Sequence, residues 1–72
     1  MPITEEQLEH WFTYHKPTGD QPDRYVRLRR AAKAFASAIV AETPPCADQT
    51  AAVRKVREAM MTANSAIACD GK

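Results

Sequence analysis

The sequence predicts an all-α protein, in which a short N-terminal helix is followed by a long antiparallel helical hairpin. Two observations support this: apolar residues recur at alternating steps of three and four along two segments, and prolines mark the segment boundaries. At 72 residues the chain is one domain, residues 1–72. Because so small a core stabilises a fold by only about 3 to 5 kcal/mol, we expect burial against other copies in a homo-oligomer.

The first helix is predicted over residues 4–14 and should end before Pro17. Thr4 and Gln7 have the spacing of a capping box, and two glutamates after Thr4 suit the positive end of the helix dipole. The linker that follows, KPTGDQPD, concentrates turn-forming residues. We therefore expect a chain reversal between the first helix and the second.

The second and third helices are predicted over residues 22–42 and 47–68. Pro22 suits the first turn of a helix, the TPP segment at 43–45 stops the second helix, and Gly71 follows the third. Two long helices joined by a short turn must be antiparallel neighbours. We expect them to pack through two apolar stripes, formed by Tyr25, Leu28, Ala32, Phe35 and Ile39 and by Val53, Val56, Met60, Ala63 and Ile67.

Several classes of protein are disfavoured by composition. Cys46 and Cys69 would lie about 35 Å apart at opposite ends of one helix, too far for an intrachain disulfide. Two isolated cysteines suit a reducing cytoplasm. No secretory signal and no apolar run of about 20 residues are present, so we expect a cytoplasmic protein with no membrane partner.

No catalytic constellation is present in the sequence. The two glycines cannot build a P-loop or a Rossmann fingerprint, and no serine elbow occurs. The spacing of His10 and His15 relative to the two cysteines is not that of zinc ligands. We expect no enzyme activity, no metal and no cofactor, with His15 otherwise a packing or hydrogen-bonding residue.

Aromatic residues beside a basic helix favour nucleotide recognition. Aromatic rings stack on bases at roughly 1 to 3 kcal/mol each, while arginines bind phosphates. Tyr14, next to the linker, is the better ligand candidate, whereas Trp11 and Phe12 are expected to pin the first helix onto the hairpin. Arg29 and Arg57 flank the apolar stripes, where desolvated phosphate contacts gain most.

Arg27, Arg30 and Lys33 face away from the stripe of the second helix. A solvated face explains them most simply. The alternatives are a small helical DNA-binding module and a protein-interaction module that use this basic face. A net charge of only +1 and the lack of a recognition-helix pattern argue against DNA as a partner.

The segments WFTYH at 11–15 and REAMMTAN at 57–64, with QPDRY at 21–25 between them, carry a resemblance. The chain resembles, over nearly its whole length, the small phage anti-CBASS proteins that act as cyclic-oligonucleotide sponges. The resemblance implies hexamers of helical hairpins that sequester cyclic dinucleotides such as cGAMP in the host bacterial cytoplasm, without cleaving them. It also implies that cyclic trinucleotides bind some members at a separate site.

The resemblance implies particular roles for residues of this chain. Tyr14 would stack on a base and Arg29 would contact a phosphate, and the same cyclic-dinucleotide site would include Phe12, His15 and Pro17. The candidates for a cyclic-trinucleotide site are Arg57, Arg27 and Ala31. Ala31 stands where a hydroxyl side chain would help such a site.

Overall fold

The computed structural model describes residues 2–72 and contains three helices. These are α1 (Glu5–Trp11), α2 (Gln21–Glu42) and α3 (Ala47–Ala68), and α2 packs against α3 as a hairpin. The all-α prediction is confirmed, and no strand occurs within the described residues. The hairpin helices begin and end within one residue of the predicted boundaries. None of the helices in residues 2–72 combines the length and apolarity needed to cross a membrane.

The first helix opens with the predicted capping box. The Thr4 hydroxyl accepts from the backbone N–H of Gln7 at 3.1 Å, and the Gln7 side chain accepts from the backbone N–H of Thr4 at 2.9 Å. These two bonds satisfy donors that a helix N-terminus leaves without an intrahelical partner.

The predicted end of α1 at residue 14 is wrong, because the helix ends at Trp11. Side chains downstream take the carbonyls that a longer helix would use. The Thr13 hydroxyl donates to the Glu9 carbonyl at 2.5 Å, and His15 Nε2 donates to the His10 carbonyl at 2.6 Å. Side chains therefore satisfy two of the carbonyls in the last turn of the helix.

The turn between α2 and α3 is fastened by two polar side chains. The Thr43 hydroxyl and backbone N–H both donate to the Ile39 carbonyl, at 2.6 and 3.1 Å. Gln49 on α3 donates from Nε2 to the Thr43 carbonyl at 3.1 Å. These bonds close the end of α2 against the start of α3.

The opposite end of the hairpin holds α1. His10 Nε2 donates to the Cys69 carbonyl at 2.9 Å, and Trp11 Nε1 donates to the Lys72 carbonyl at 3.3 Å. Gln21 Nε2 donates to the Ile67 carbonyl at 3.2 Å, which ties the start of α2, just after the linker of residues 12–20, to the same place. The short helix is thus attached to the C-terminal end of α3 through side chains.

The chain is a thin plate with almost no enclosed core. It measures 45 × 31 × 16 Å, and its radius of gyration of 15.4 Å exceeds the about 11 Å expected for a compact domain of this length. Its accessible surface is 5996 Å², against about 4,450 Å² for a compact monomer of this mass. Within residues 2–72 only Cys69 is buried, and Phe35 on the hairpin is 61% exposed.

Candidate functional site

An arginine-lined recess of about 220 Å³ lies on one face of the hairpin. Arg29 and Lys33 of α2 and Arg57 of α3 line it, and its floor is formed by the apolar residues Ala32, Ala36, Val53, Val56 and Met60. The structure therefore brings together the two arginines that the sequence placed beside the stripes. Both guanidinium groups lie on residues exposed to solvent, beside apolar surface. This arrangement can hold phosphate groups.

Arg29 also lines a second recess of about 440 Å³, with Tyr25, Met61, Asn64 and Ser65 among its neighbours. The side-chain oxygen of Asn64 is buried without a hydrogen-bond partner in the described part of the chain. Buried acceptors of this kind are usually hydrogen-bonded, either to protein or to ordered water. Tyr25 and Arg29 are four residues apart and therefore lie along the same edge of α2. The sequence pattern assigned Tyr25 only to the apolar stripe and did not identify it as a neighbour of Arg29.

The other face of the hairpin carries a larger apolar groove, of about 580 Å³. Its walls include Leu28, Phe35, Ile39, Val56 and Met60, several alanines including Ala31, and the side chain of Lys55. Because Val56 and Met60 line both the groove and the arginine recess, the hairpin is a single layer that leaves both faces of its stripe uncovered.

The candidate trinucleotide residues lie on different surfaces of the described hairpin. Arg57 lines the arginine recess, Ala31 lines the apolar groove on the other face, and Arg27 is exposed. A site that contains all three residues would need more than one copy of the chain.

The aromatic side chains near the N-terminus differ in their exposure and in their contacts with the hairpin. Tyr14 and Phe12 are 82% and 84% exposed, and Pro17 is also exposed. Trp11 lies against the end of α3, beside Ser65 and Cys69. Trp11 thus lies beside the end of α3 while remaining 42% exposed, whereas the expectation that Phe12 packs onto the hairpin is wrong within a single chain.

His15 is half-buried and turned toward the hairpin. Its ring lies 4.7 Å from the ring of His10, and Cys69 is adjacent, so that a ring nitrogen of each histidine and Cys69 Sγ lie within 4.8 Å of one another. The sequence-based expectation that these residues lack the arrangement of metal ligands did not foresee this cluster. No local sequence motif predicts the cluster, because the whole hairpin separates Cys69 from the histidines in sequence.

A family model described as Acb2/Tad1, hairpin domain, matches residues 4–68. The match extends from the capping residue of α1 to the last residue of α3 and so includes both arginines and the linker. Neither the curated proteins nor the solved structures gave a match to the chain. The predicted resemblance is confirmed, and the chain belongs to the Acb2/Tad1 hairpin family, the anti-CBASS cyclic-oligonucleotide sponges.

Proposed function

We propose that this protein binds cyclic dinucleotides between copies of the chain and sequesters them intact, which blocks CBASS signalling in the host cytoplasm. The family sequesters ligands and is not a family of enzymes. The observation that best supports the proposal is the exposed ring of Tyr14 on the linker, on the same thin chain as the Arg29 recess. One group is suited to a base and the other to a phosphate.

A cyclic dinucleotide contains two bases and two phosphates around an approximate twofold axis. Two chains related by a twofold axis would offer it two Tyr14 rings and two Arg29 guanidinium groups. Phe12 adds a second exposed ring, and Pro17 restricts the conformation of the linker that carries Tyr14. We assign His15 a positioning role, because its bond to the His10 carbonyl holds the same linker.

The shape of the chain supports assembly into the homo-oligomer that this site requires. The accessible surface exceeds that of a compact monomer by about 1,500 Å². A standard interface buries about 800 Å² per partner, so the excess corresponds to about two interfaces on each chain. Two interfaces per chain are compatible with a closed hexamer, the assembly implied by the resemblance.

Sequestration also requires an enclosed site. A Kd of about 1 nM corresponds to about −12 kcal/mol. Two stacked rings contribute roughly 2 to 6 kcal/mol in total, so the phosphate contacts must be desolvated to provide the remainder. Burial of the ligand between subunits achieves this.

Cyclic trinucleotides would bind separately, around a threefold axis. We propose Arg57 as the phosphate contact there, with Arg27 and Ala31 contributed from neighbouring faces. The absence of a hydroxyl group at Ala31 predicts weaker binding of trinucleotides than of dinucleotides.

Titration calorimetry with a cyclic dinucleotide tests the proposal on Tyr14→Ala and Arg29→Ala. Each substitution should weaken binding at least about 30-fold, because in a twofold site it removes two contacts from each ligand, each worth roughly 1 to 3 kcal/mol. Arg30→Ala is the matched control, an exposed arginine one residue away that should bind as the unmodified protein does. Unchanged affinity in both site variants would contradict the assignment of the site.

A further inference from the structure

We propose that His10, His15 and Cys69 form a zinc-binding site that fastens α1 and the linker to the end of the hairpin. The site adjoins the proposed nucleotide contacts, because His15, to which we give a positioning role there, is one of its three ligands. It rests on three observations: the proximity of the ligand atoms, the hydrogen bonds of both rings, and the burial of the thiol.

The ligand atoms lie close to the spacing that zinc requires. In a tetrahedral site with Zn–N near 2.0 Å and Zn–S near 2.3 Å, neighbouring ligand atoms are about 3.3 to 3.6 Å apart. In this cluster all three atoms lie within 4.8 Å of one another. The most distant pair of ligand atoms must therefore approach by up to about 1.5 Å to bind zinc. Rotation of side chains can provide this movement, and His15 lies outside the helices.

Each histidine ring is held by a hydrogen bond from Nε2 to a backbone carbonyl, which leaves Nδ1 as the nitrogen that would bind the metal. His10 Nε2 bonds to the Cys69 carbonyl and His15 Nε2 bonds to the His10 carbonyl. A carbonyl oxygen only accepts, so each Nε2 carries the proton and the neutral ring keeps its lone pair on Nδ1. Histidines that bind metals usually donate their other N–H to a carbonyl or carboxylate in this way, which fixes the ring and its tautomer.

The donor set selects the kind of metal. One thiolate and two imidazoles suit zinc, whereas magnesium and calcium prefer oxygen ligands. Cys69 is only 8% exposed, and both histidines are half-buried, so the thiol is sheltered from bulk solvent. Three protein ligands leave the fourth tetrahedral position to a water molecule.

At this location a bound metal would link separate parts of the chain. α1 is joined to the hairpin by a few side-chain hydrogen bonds, and the chain has almost no enclosed core. A metal ion is a common means of stabilising so small a domain. Zinc at this site would link the end of α1, the linker that presents Tyr14, and the C-terminal end of α3.

The experiment is a titration of the reduced, metal-free, full-length protein with Co²⁺, a spectroscopic substitute for zinc. We expect one Co²⁺ per chain, a thiolate-to-cobalt charge-transfer band in the near ultraviolet, and loss of that band when Zn²⁺ is added. A folded, reduced protein that develops no thiolate band would overturn the proposal.

Variants then identify the ligands. Cys46→Ser, at the exposed cysteine at the other end of α3, is the matched control and should retain the band. Cys69→Ser should abolish the band, and His15→Gln should weaken Zn²⁺ binding about 100-fold, at least as much as the loss of an outer-sphere contact. If Cys69→Ser does not fold, the His15→Gln affinity decides. Unchanged affinity there, or a band that persists without Cys69, contradicts the site.

Discussion

Substitution of Phe35 tests whether the oligomer can be dissociated without unfolding the chain. Phe35 lies on α2 in the wall of the apolar groove and is 61% exposed in a single chain. If the groove is covered by other subunits, Phe35 is an interface residue. The substitution Phe35→Lys should then dissociate the oligomer while leaving the helices intact.

The size of the effect follows from the exposure of Phe35. Complete burial of a phenylalanine side chain contributes about 1.5 to 3 kcal/mol, so covering the exposed part contributes about 1 to 2 kcal/mol. An ammonium group buried without a partner costs several kcal/mol more. Lys55 also lines the groove, so its positive charge would repel the ammonium group introduced at position 35. A total of about 4 kcal/mol weakens association about 1,000-fold.

Light scattering coupled to size exclusion measures the outcome, with circular dichroism as the check on helix content. Ser37→Lys adds the same charge to an exposed position about 200° around α2 from Phe35 and is the matched control. We expect the control to keep the mass of the unmodified protein and Phe35→Lys to have the mass of smaller species. A Phe35→Lys protein with the unmodified mass would refute the placement of the interface in this groove.

Two further predictions concern the stability of the N-terminal region. Thr4→Ala removes one bond of the capping box and should destabilise α1 by about 1 kcal/mol, measured as faster amide exchange in α1 with α2 unchanged. If amide exchange in α1 is equally fast in the variant and in the unmodified protein, the capping box does not stabilise α1 as we expect. Gly19→Ala should cost about 1 kcal/mol and lower Tm by about 4 to 8 °C, because Gly19 has a φ of +57° and an added Cβ meets no atom within 4 Å. An unchanged Tm would contradict the strain argument.

The sequence was sufficient to predict the hairpin because the determining signals are local. Apolar periodicity defines both long helices, and the prolines at 44 and 45 end α2 whatever the rest of the chain does. The cap at Thr4 was predictable for the same reason. Those features depend on neighbours within about four residues.

The remaining features depend on contacts that are distant in sequence. The end of α1 is set by hydrogen bonds from Thr13 and His15, a competition with the backbone that periodicity does not detect. The cluster with Cys69 requires the hairpin to return the chain to α1. The proposed partners of Tyr14 lie on another copy of the chain, so neither the sequence pattern nor a single chain brings them together.

Sequestration without chemistry is the central claim, and capture followed by release tests it most directly. The protein is incubated with a panel of cyclic di- and trinucleotides, free ligand is removed, the protein is denatured, and the released nucleotide is identified by mass. We predict that intact cyclic dinucleotide is recovered from the unmodified protein and is greatly reduced with Tyr14→Ala. Release of cleaved nucleotide, or retention of no nucleotide at all, would contradict the account.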